Sequence, residues 1–376
     1  MRPLRLIAAV ALIVLAAMPG GAGAATRKVP ARWFGTMWDK AIQDSPADFQ
    51  DAQFATMAKS GVESTRSIFA WNLAQPDEGQ PPSFALTDQM VRDGAAHGIE
   101  ILPVVTQAPT WARVQPNELG SAPSNYQAYD DYLTALIDRY GPSGSFWDEN
   151  PSLPFKPLRV WQIWNEPNIL YQWSPQADWE IKYGQLLKGA YAAVKQADPG
   201  AKVALAGLPN ASWTDLDSLY DRGGVKGSFD IAAVHYYSKI ASQFIQVSRM
   251  LRASLDKHGD KKIPIWWTEA GGSASQGRIS SPGNEHFQTT DKGLADVLTK
   301  SYKLFYKYRS KLRIQRVYWY NWASSYSTSG GAFDFSGMSV FDGQKTSAKP
   351  ALVSYRKIAR SYEGCRKDAR ARCLKR

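Results

Sequence analysis

The stretch Trp161-Gln162-Ile163-Trp164-Asn165-Glu166-Pro167-Asn168 begins as a strand and ends as a turn. Its first half is dense in aromatic and β-branched side chains, the composition of a strand buried on both faces. Pro167 has no N–H to give a sheet ladder and ends the strand. Glu166 is therefore delivered to a strand's C-terminal end, close to Trp164. A carboxyl beside indole rings is desolvated, which raises its pKa. A carboxylic acid still protonated near neutral pH can protonate a leaving oxygen.

The same beat repeats on either side. Strand-like runs occupy 32–38, 64–71, 99–106, 159–165, 202–207, 229–237, 263–269 and 316–322. Amphipathic helical patterns fall between them at 50–59, 86–97, 126–140, 179–197, 241–258 and 291–312, with a last one at 350–361. Gly61 and Gly98 stand where the first two helices should stop. Eight alternating strand and helix units in one chain predict a (β/α)8 barrel of the α/β class. A doubly wound sheet is the other α/β architecture, but no Gly-rich phosphate turn follows the first strand. The extra length falls mainly at 107–125, 142–157 and 271–288. The first and third of these follow strand C-termini, where barrel active sites are built.

Three strands after Glu166, Ile263-Pro264-Ile265-Trp266-Trp267-Thr268-Glu269-Ala270-Gly271-Gly272 delivers a second carboxylate to the same end. Two glutamates facing each other across a barrel mouth are what a retaining glycosidase needs, with carboxyl groups ~5–5.5 Å apart. This pairing, Asn-Glu-Pro after strand four and a glutamate after strand seven, resembles clan A of the glycoside hydrolases. The whole barrel is most similar to family 39 and its relatives. Supporting pieces are Arg66 with Trp71 after strand two, Ala108-Pro109-Thr110-Trp111-Ala112 after strand three, and His235-Tyr236-Tyr237 at strand six. The resemblance implies a retaining mechanism, with Glu166 as acid/base and Glu269 as nucleophile. It also implies that Asn165 hydrogen-bonds a sugar 2-hydroxyl and that residues such as His235 and Tyr237 orient the nucleophile.

Arg66 is expected beside Glu269, holding it ionised. His235 and Tyr237 share one face of strand six by the two-residue period. Fourteen tryptophans invite a carbohydrate cleft, since sugar C–H faces pack on aromatic rings. Trp71, Trp111, Trp173 and Trp322 fall in strand-end loops, while Trp164, Trp266 and Trp267 fit the core equally well. At strand eight, alternation groups Trp322 with Tyr318 and Tyr320, opposite Trp319. It does not choose between Trp319 and Trp322; Trp322 is the candidate carried forward with Trp71 and Trp111 as substrate contacts.

The 376 residues are 44% hydrophobic and 21% charged, a globular composition. The one long apolar run is N-terminal. Arg2 and Arg5, then Leu6 to Ala17, then Ala22-Gly23-Ala24 read as a secretory leader over 1–24. The expected organisation is that leader, a single barrel over 25–362 and a basic tail over 363–376, in an exported or envelope-associated protein. The net charge of +11 is concentrated in the tail: from Arg356 to Arg376 there are nine Lys/Arg against two Asp/Glu. The body is nearly neutral, so no nucleic-acid partner is expected. The tail reads as a solvated end, or as a weak contact with an anionic envelope. Cys365 and Cys373 both lie there, and export favours a local disulfide between them. The protein is expected to act without a metal or nucleotide cofactor, and other chemistries lack support, since the G-x-S-x-G nucleophile elbow and the H-E-x-x-H, phosphate-loop and paired C-x-x-C motifs are all missing. The function read from the sequence is cleavage of O-glycosidic bonds in a poly- or oligosaccharide. Alternatives are a non-catalytic carbohydrate-binding barrel and a transglycosylase with the same glutamates.

Overall fold

The computed structural model describes residues 27–37, 43–328 and 331–364. The leader, both cysteines and the tail from residue 365 onward lie outside the described residues; the first residue of the expected tail, Glu363, ends the last helix. Eight strands form one parallel sheet: β1 (Phe34–Met37), β2 (Ser64–Ala70), β3 (Glu100–Thr106), β4 (Val160–Ile163), β5 (Lys202–Ala204), β6 (Ala232–Tyr237), β7 (Ile265–Gly271) and β8 (Ile314–Tyr320). Neighbours run in the order β5-β4-β3-β2-β1-β8-β7-β6. The two edges meet through the parallel bridges Ala204 to Ile231 and Leu208 to Val234, which close the sheet into a barrel. The chain is a (β/α)8 barrel.

Helices surround it: α1 (Ala47–Lys59), α2 (Ala85–His97), α3 (Tyr126–Tyr140), α4 (Trp179–Ala197), α5 (Ser212–Ser218), α6 (Ala241–Lys257), α7 (Asp291–Leu312) and α8 (Pro350–Glu363). Their ends follow local chemistry. Asn125 and Thr290 accept the Ala128 and Gly293 amides as N-caps of α3 and α7. Gly98 and Gly364 take left-handed conformations just after α2 and α8. No helix is long and apolar enough to cross a membrane among the described residues.

Strand alternation sorts the core into two layers. Leu102, Ala204, Ile231, Trp266 and Tyr318 fill the barrel interior. The opposite strand faces pack outward on the helices: Trp267 meets Phe244 and Phe305, and Trp319 meets Phe244 and Tyr302. Between β8 and α8 the chain adds a small sheet, β9 (Ala323–Ser324), β10 (Ser339–Phe341) and β11 (Thr346–Ala348), on the side of the barrel where the strands end.

Candidate active site

Arg66 is the hub of the barrel mouth. It lies on β2, wholly buried, and its guanidinium reaches partners on β4, just after β4 and on β7. Nε donates to Gln162 Oε1 at 2.9 Å, Nη1 to Glu269 Oε1 at 2.6 Å and Nη2 to Asn165 Oδ1 at 2.5 Å. A buried guanidinium is tolerated only when its charge and its donors are matched, and here the matching carboxylate is Glu269. Asn165 spends its oxygen on Arg66, so the group it can turn to a ligand is its Nδ2 donor.

Glu269 owes its position to an irregularity in β7. Trp267 points outward, and a strict two-residue period would send Glu269 outward after it. The register shifts between Trp267 and Ala270 against β8, and again beside His235 on β6. This bulge re-aims the strand end and sets Glu269 beside His235. Tyr237 donates its hydroxyl to Glu269 Oε2. Burial, and after it the charge of Glu269, pushes the Tyr237 phenol well above its usual range, so that the hydroxyl keeps the proton it donates.

Glu166 follows β4 in a turn that holds Trp164 and Glu166 at φ +65° and +45°. Left-handed backbone costs an ordinary residue about 1–2 kcal/mol. The turn is held by the Trp164 indole N–H on the Gln172 carbonyl (2.8 Å) and by Asn168 Nδ2 on Asp215 of α5 (2.8 Å). Burial pushes the Glu166 carboxyl up to about 7, against a smaller opposite pull from Arg66. His235 Nδ1 lies 2.7 Å from Glu166 Oε1. Burial also pushes this imidazole down to about 3, so it is neutral and the contact is a hydrogen bond rather than an ion pair.

The His235 ring fits because residue 207, after β5, is glycine: a Cβ there would stand 1.9 Å from Nε2. Gly207→Ala is therefore expected to push the ring off Glu166. It should lower the unfolding free energy by about 1–3 kcal/mol, as overpacking does. Chemical denaturation checks this, and an unchanged midpoint would mean that the ring slides aside freely.

One oxygen of Glu166, one of Glu269 and a ring nitrogen of His235 all lie within 4.8 Å of one another. Such a trio could in principle hold a cation. The oxygens are already engaged by Arg66, Tyr237 and His235, and a divalent ion would sit beside the guanidinium charge. The donor set fits proton and group transfer better than metal binding.

Nine residues expected at the site are thus accounted for as follows. Arg66, Asn165, Glu166, His235, Tyr237 and Glu269 converge. Trp111 is half-buried at the edge, its indole N–H on the Gln75 carbonyl and its ring edge-on to Trp71. Trp71 and Trp322 do not offer a ring face to a ligand, because both are wholly buried. Trp71 opens a helical turn that folds it down onto Tyr132, and Trp322 lies beyond the end of β8 with its indole N–H on Gln53 of α1. Trp173 is buried too, packed on Trp164 and Tyr183. Two further residues belong to the group. Gln162 is the lone polar side chain inside an apolar strand, which was its signal. Tyr320, on the Tyr318 face of β8, stands edge-on to Tyr237 at 5.4 Å.

No protein-family model matches the chain, and no curated protein matches it. Solved structures do. A monomeric β-xylosidase from Caulobacter crescentus CB15 aligns at TM-score 0.63 and 15% identity, over 89% of this chain and 68% of that one. A family 39 glycoside hydrolase from the gut symbiont Bacteroides cellulosilyticus WH2 aligns at 0.63 and 19%, over 89% and 64%. An α-L-arabinofuranosidase from Thermotoga maritima aligns at 0.61 and 12%, over 89% and 71%. The chain spans about two thirds of the length of these proteins. At these identities the likeness is one of fold: the chain has the fold of the clan A glycoside hydrolases, in a form like that of family 39.

Proposed function

We propose that this chain is a retaining glycoside hydrolase that cleaves O-glycosidic bonds of a poly- or oligosaccharide by double displacement. The observation that carries the reading is the pair at the ends of β4 and β7: two glutamate oxygens within 4.8 Å, one carboxyl raised to about 7 and the other paired with a buried arginine. An inverting enzyme needs ~6.5–9.5 Å between its carboxyl groups to admit a water, so the closer spacing supports direct attack.

In the first step Glu269 bonds to the anomeric carbon as the bond to the leaving oxygen breaks. That oxygen takes the Glu166 proton and departs as an alcohol. In the second step Glu166 takes a proton from water, the water oxygen bonds to the anomeric carbon, and Glu269 leaves as a carboxylate. Arg66 supplies the positive charge that matches Glu269 at both ends of the cycle, and Tyr237 supplies a second donor. Asn165 Nδ2 is the donor aimed at a sugar hydroxyl. A purely carbohydrate-binding barrel would have no use for a buried carboxyl poised near neutrality beside a second glutamate. Export, and any tail-mediated envelope contact, are proposed on the N- and C-terminal sequence alone.

Turnover of 4-nitrophenyl glycosides of xylose, glucose and arabinose, with NMR of the first-formed anomer, tests the reading. Retention is expected; inversion would reject double displacement, and no turnover of any glycoside would reject the hydrolase. The same assay has a pH signature. Glu166 must be protonated to act as acid, and its pKa is raised, so kcat/KM should fall as pH rises through about 7. A profile flat to pH 9 would remove Glu166 from the acid role.

A further inference from the structure

Beyond the glutamates, on the β3 and β4 side, the mouth has a lip. The loop after β3 and the loop after β4 are knit together by backbone: Ser174 N–H bonds the Gly120 carbonyl at 3.1 Å, and Ala122 N–H bonds the Ser174 carbonyl at 2.9 Å. They approach so closely that a Cβ on Gly120 would stand 1.9 Å from the Tyr171 carbonyl oxygen. The chain from Glu166 onward is wound tightly, with the Ile169 amide on the Glu166 carbonyl and the Gln172 and Trp173 amides on the Ile169 carbonyl. On this rigid frame three large apolar side chains face solvent: Leu119, Leu170 and Tyr171, the last 68% exposed. Below them is a cavity of about 130 Å³, lined by Thr106, Gln107, Leu119, Gly120, Trp164, Tyr171 and Gln172.

Three large apolar side chains exposed together at the rim of a part-polar cavity, one of them aromatic, make a surface suited to the apolar face of a ligand. Its position says which part of the ligand. Glu166 protonates the leaving oxygen on the proposed mechanism, so the leaving group lies on the Glu166 side of the cleaved bond. The lip is on that side, one turn of chain past Glu166. Partial desolvation, and then the negative charges of Glu166 and Glu269, push the Tyr171 hydroxyl up to about 12, which fits a ring leaning over the same site.

We propose that Tyr171, with Leu119 and Leu170, is the platform for the leaving group, and that it selects leaving groups with a flat apolar face. A second sugar ring and a phenol both have such a face. Gln107 and Gln172 add polar groups to the cavity beneath. The inference rests on the glycosidase reading, and the experiment separates the two.

The wild type, Tyr171→Ala and Tyr171→Phe are assayed on the 4-nitrophenyl glycoside, the disaccharide and the glycosyl fluoride of one sugar. Fluoride has no face to stack, so the readout is each substrate's kcat/KM divided by that for the fluoride. Tyr171→Ala should lower this ratio roughly tenfold, the scale of one lost aromatic contact, and Tyr171→Phe should keep it. A fall for the disaccharide alone identifies a sugar as the ligand; a fall for the nitrophenyl compound alone identifies an aryl group. An unchanged ratio for both overturns the proposal, as does an equal loss on all three substrates, which marks a structural role. A wild type that turns over none of the three fails the glycosidase reading itself and takes the platform with it.

Discussion

Glu269→Gly is expected to abolish turnover of every glycoside, activated or not, by a factor on the order of 10⁵–10⁶, the scale seen when a covalent nucleophile is removed. Both steps pass through the Glu269 oxygen, so no choice of leaving group can spare the variant. The vacated space is not neutral. Arg66 remains buried there with its charge uncompensated, next to the Tyr237 hydroxyl. An anion the size of azide should enter that space and attack the anomeric carbon from the face Glu269 used. The product from a β-glycoside would then be the α-azide, formed in one displacement with inversion. The same loss of pairing destabilises the fold by about 3–5 kcal/mol, because a buried charge has lost its partner. Activity must therefore be normalised to folded protein, which circular dichroism of the same samples supplies. Hydrolysis surviving within a hundredfold of wild type would place the nucleophile elsewhere.

The barrel was legible because its strands are short, apolar and separated by helices with clear stops. Tyr126–Tyr140, Trp179–Ala197 and Asp291–Leu312 begin and end where their periodicity does. The small sheet between β8 and α8 was not, since strands of two or three residues are too short to show a period. Within the site, Arg66, His235 and Tyr237 were readable through the resemblance to clan A, and His235 and Tyr237 also through the two-residue period of β6. Glu269 was readable only through its place at the strand end. By alternation it shares a face with Trp267, and the bulge that turns it inward has no signature in composition. The tryptophans misled for a related reason. A loop position says nothing about whether a ring turns toward solvent or back onto a helix, and Trp71, Trp173 and Trp322 turned back. At strand eight the alternation itself ran out: β8 ends at Tyr320, so the period carries the inward face as far as Tyr320 and no further. The exposed aromatic that remains, Tyr171, sits in a loop with no periodicity to announce it.

Glu166→Ala should behave differently from the Glu269 variant, and the difference defines the division of labour. Only proton transfer is lost, a contribution of ~10²–10⁴ in rate. The loss should fall on substrates whose leaving oxygen needs a proton, so natural disaccharides should suffer most. A 2,4-dinitrophenyl glycoside leaves unaided, so its glycosylation step should persist. The glycosyl-enzyme on Glu269 should then accumulate, because water lacks its base, and a burst of dinitrophenolate should precede slow turnover. Azide needs no base. It should release the intermediate from the face where Glu166 stood and give the β-azide from a β-glycoside, opposite in configuration to the product of Glu269→Gly. The fall of kcat/KM above pH about 7 should vanish as well, since the group that titrates there has gone. His235 bears on the same test. Its Nδ1 loses its partner in Glu166→Ala, but the ring is neutral across the working range, so no new titration should replace the lost limb. If Glu166→Ala gave the α-azide and Glu269→Gly the β-azide, the two roles would be exchanged. If the alkaline limb survived in Glu166→Ala, the proton donor would be another group.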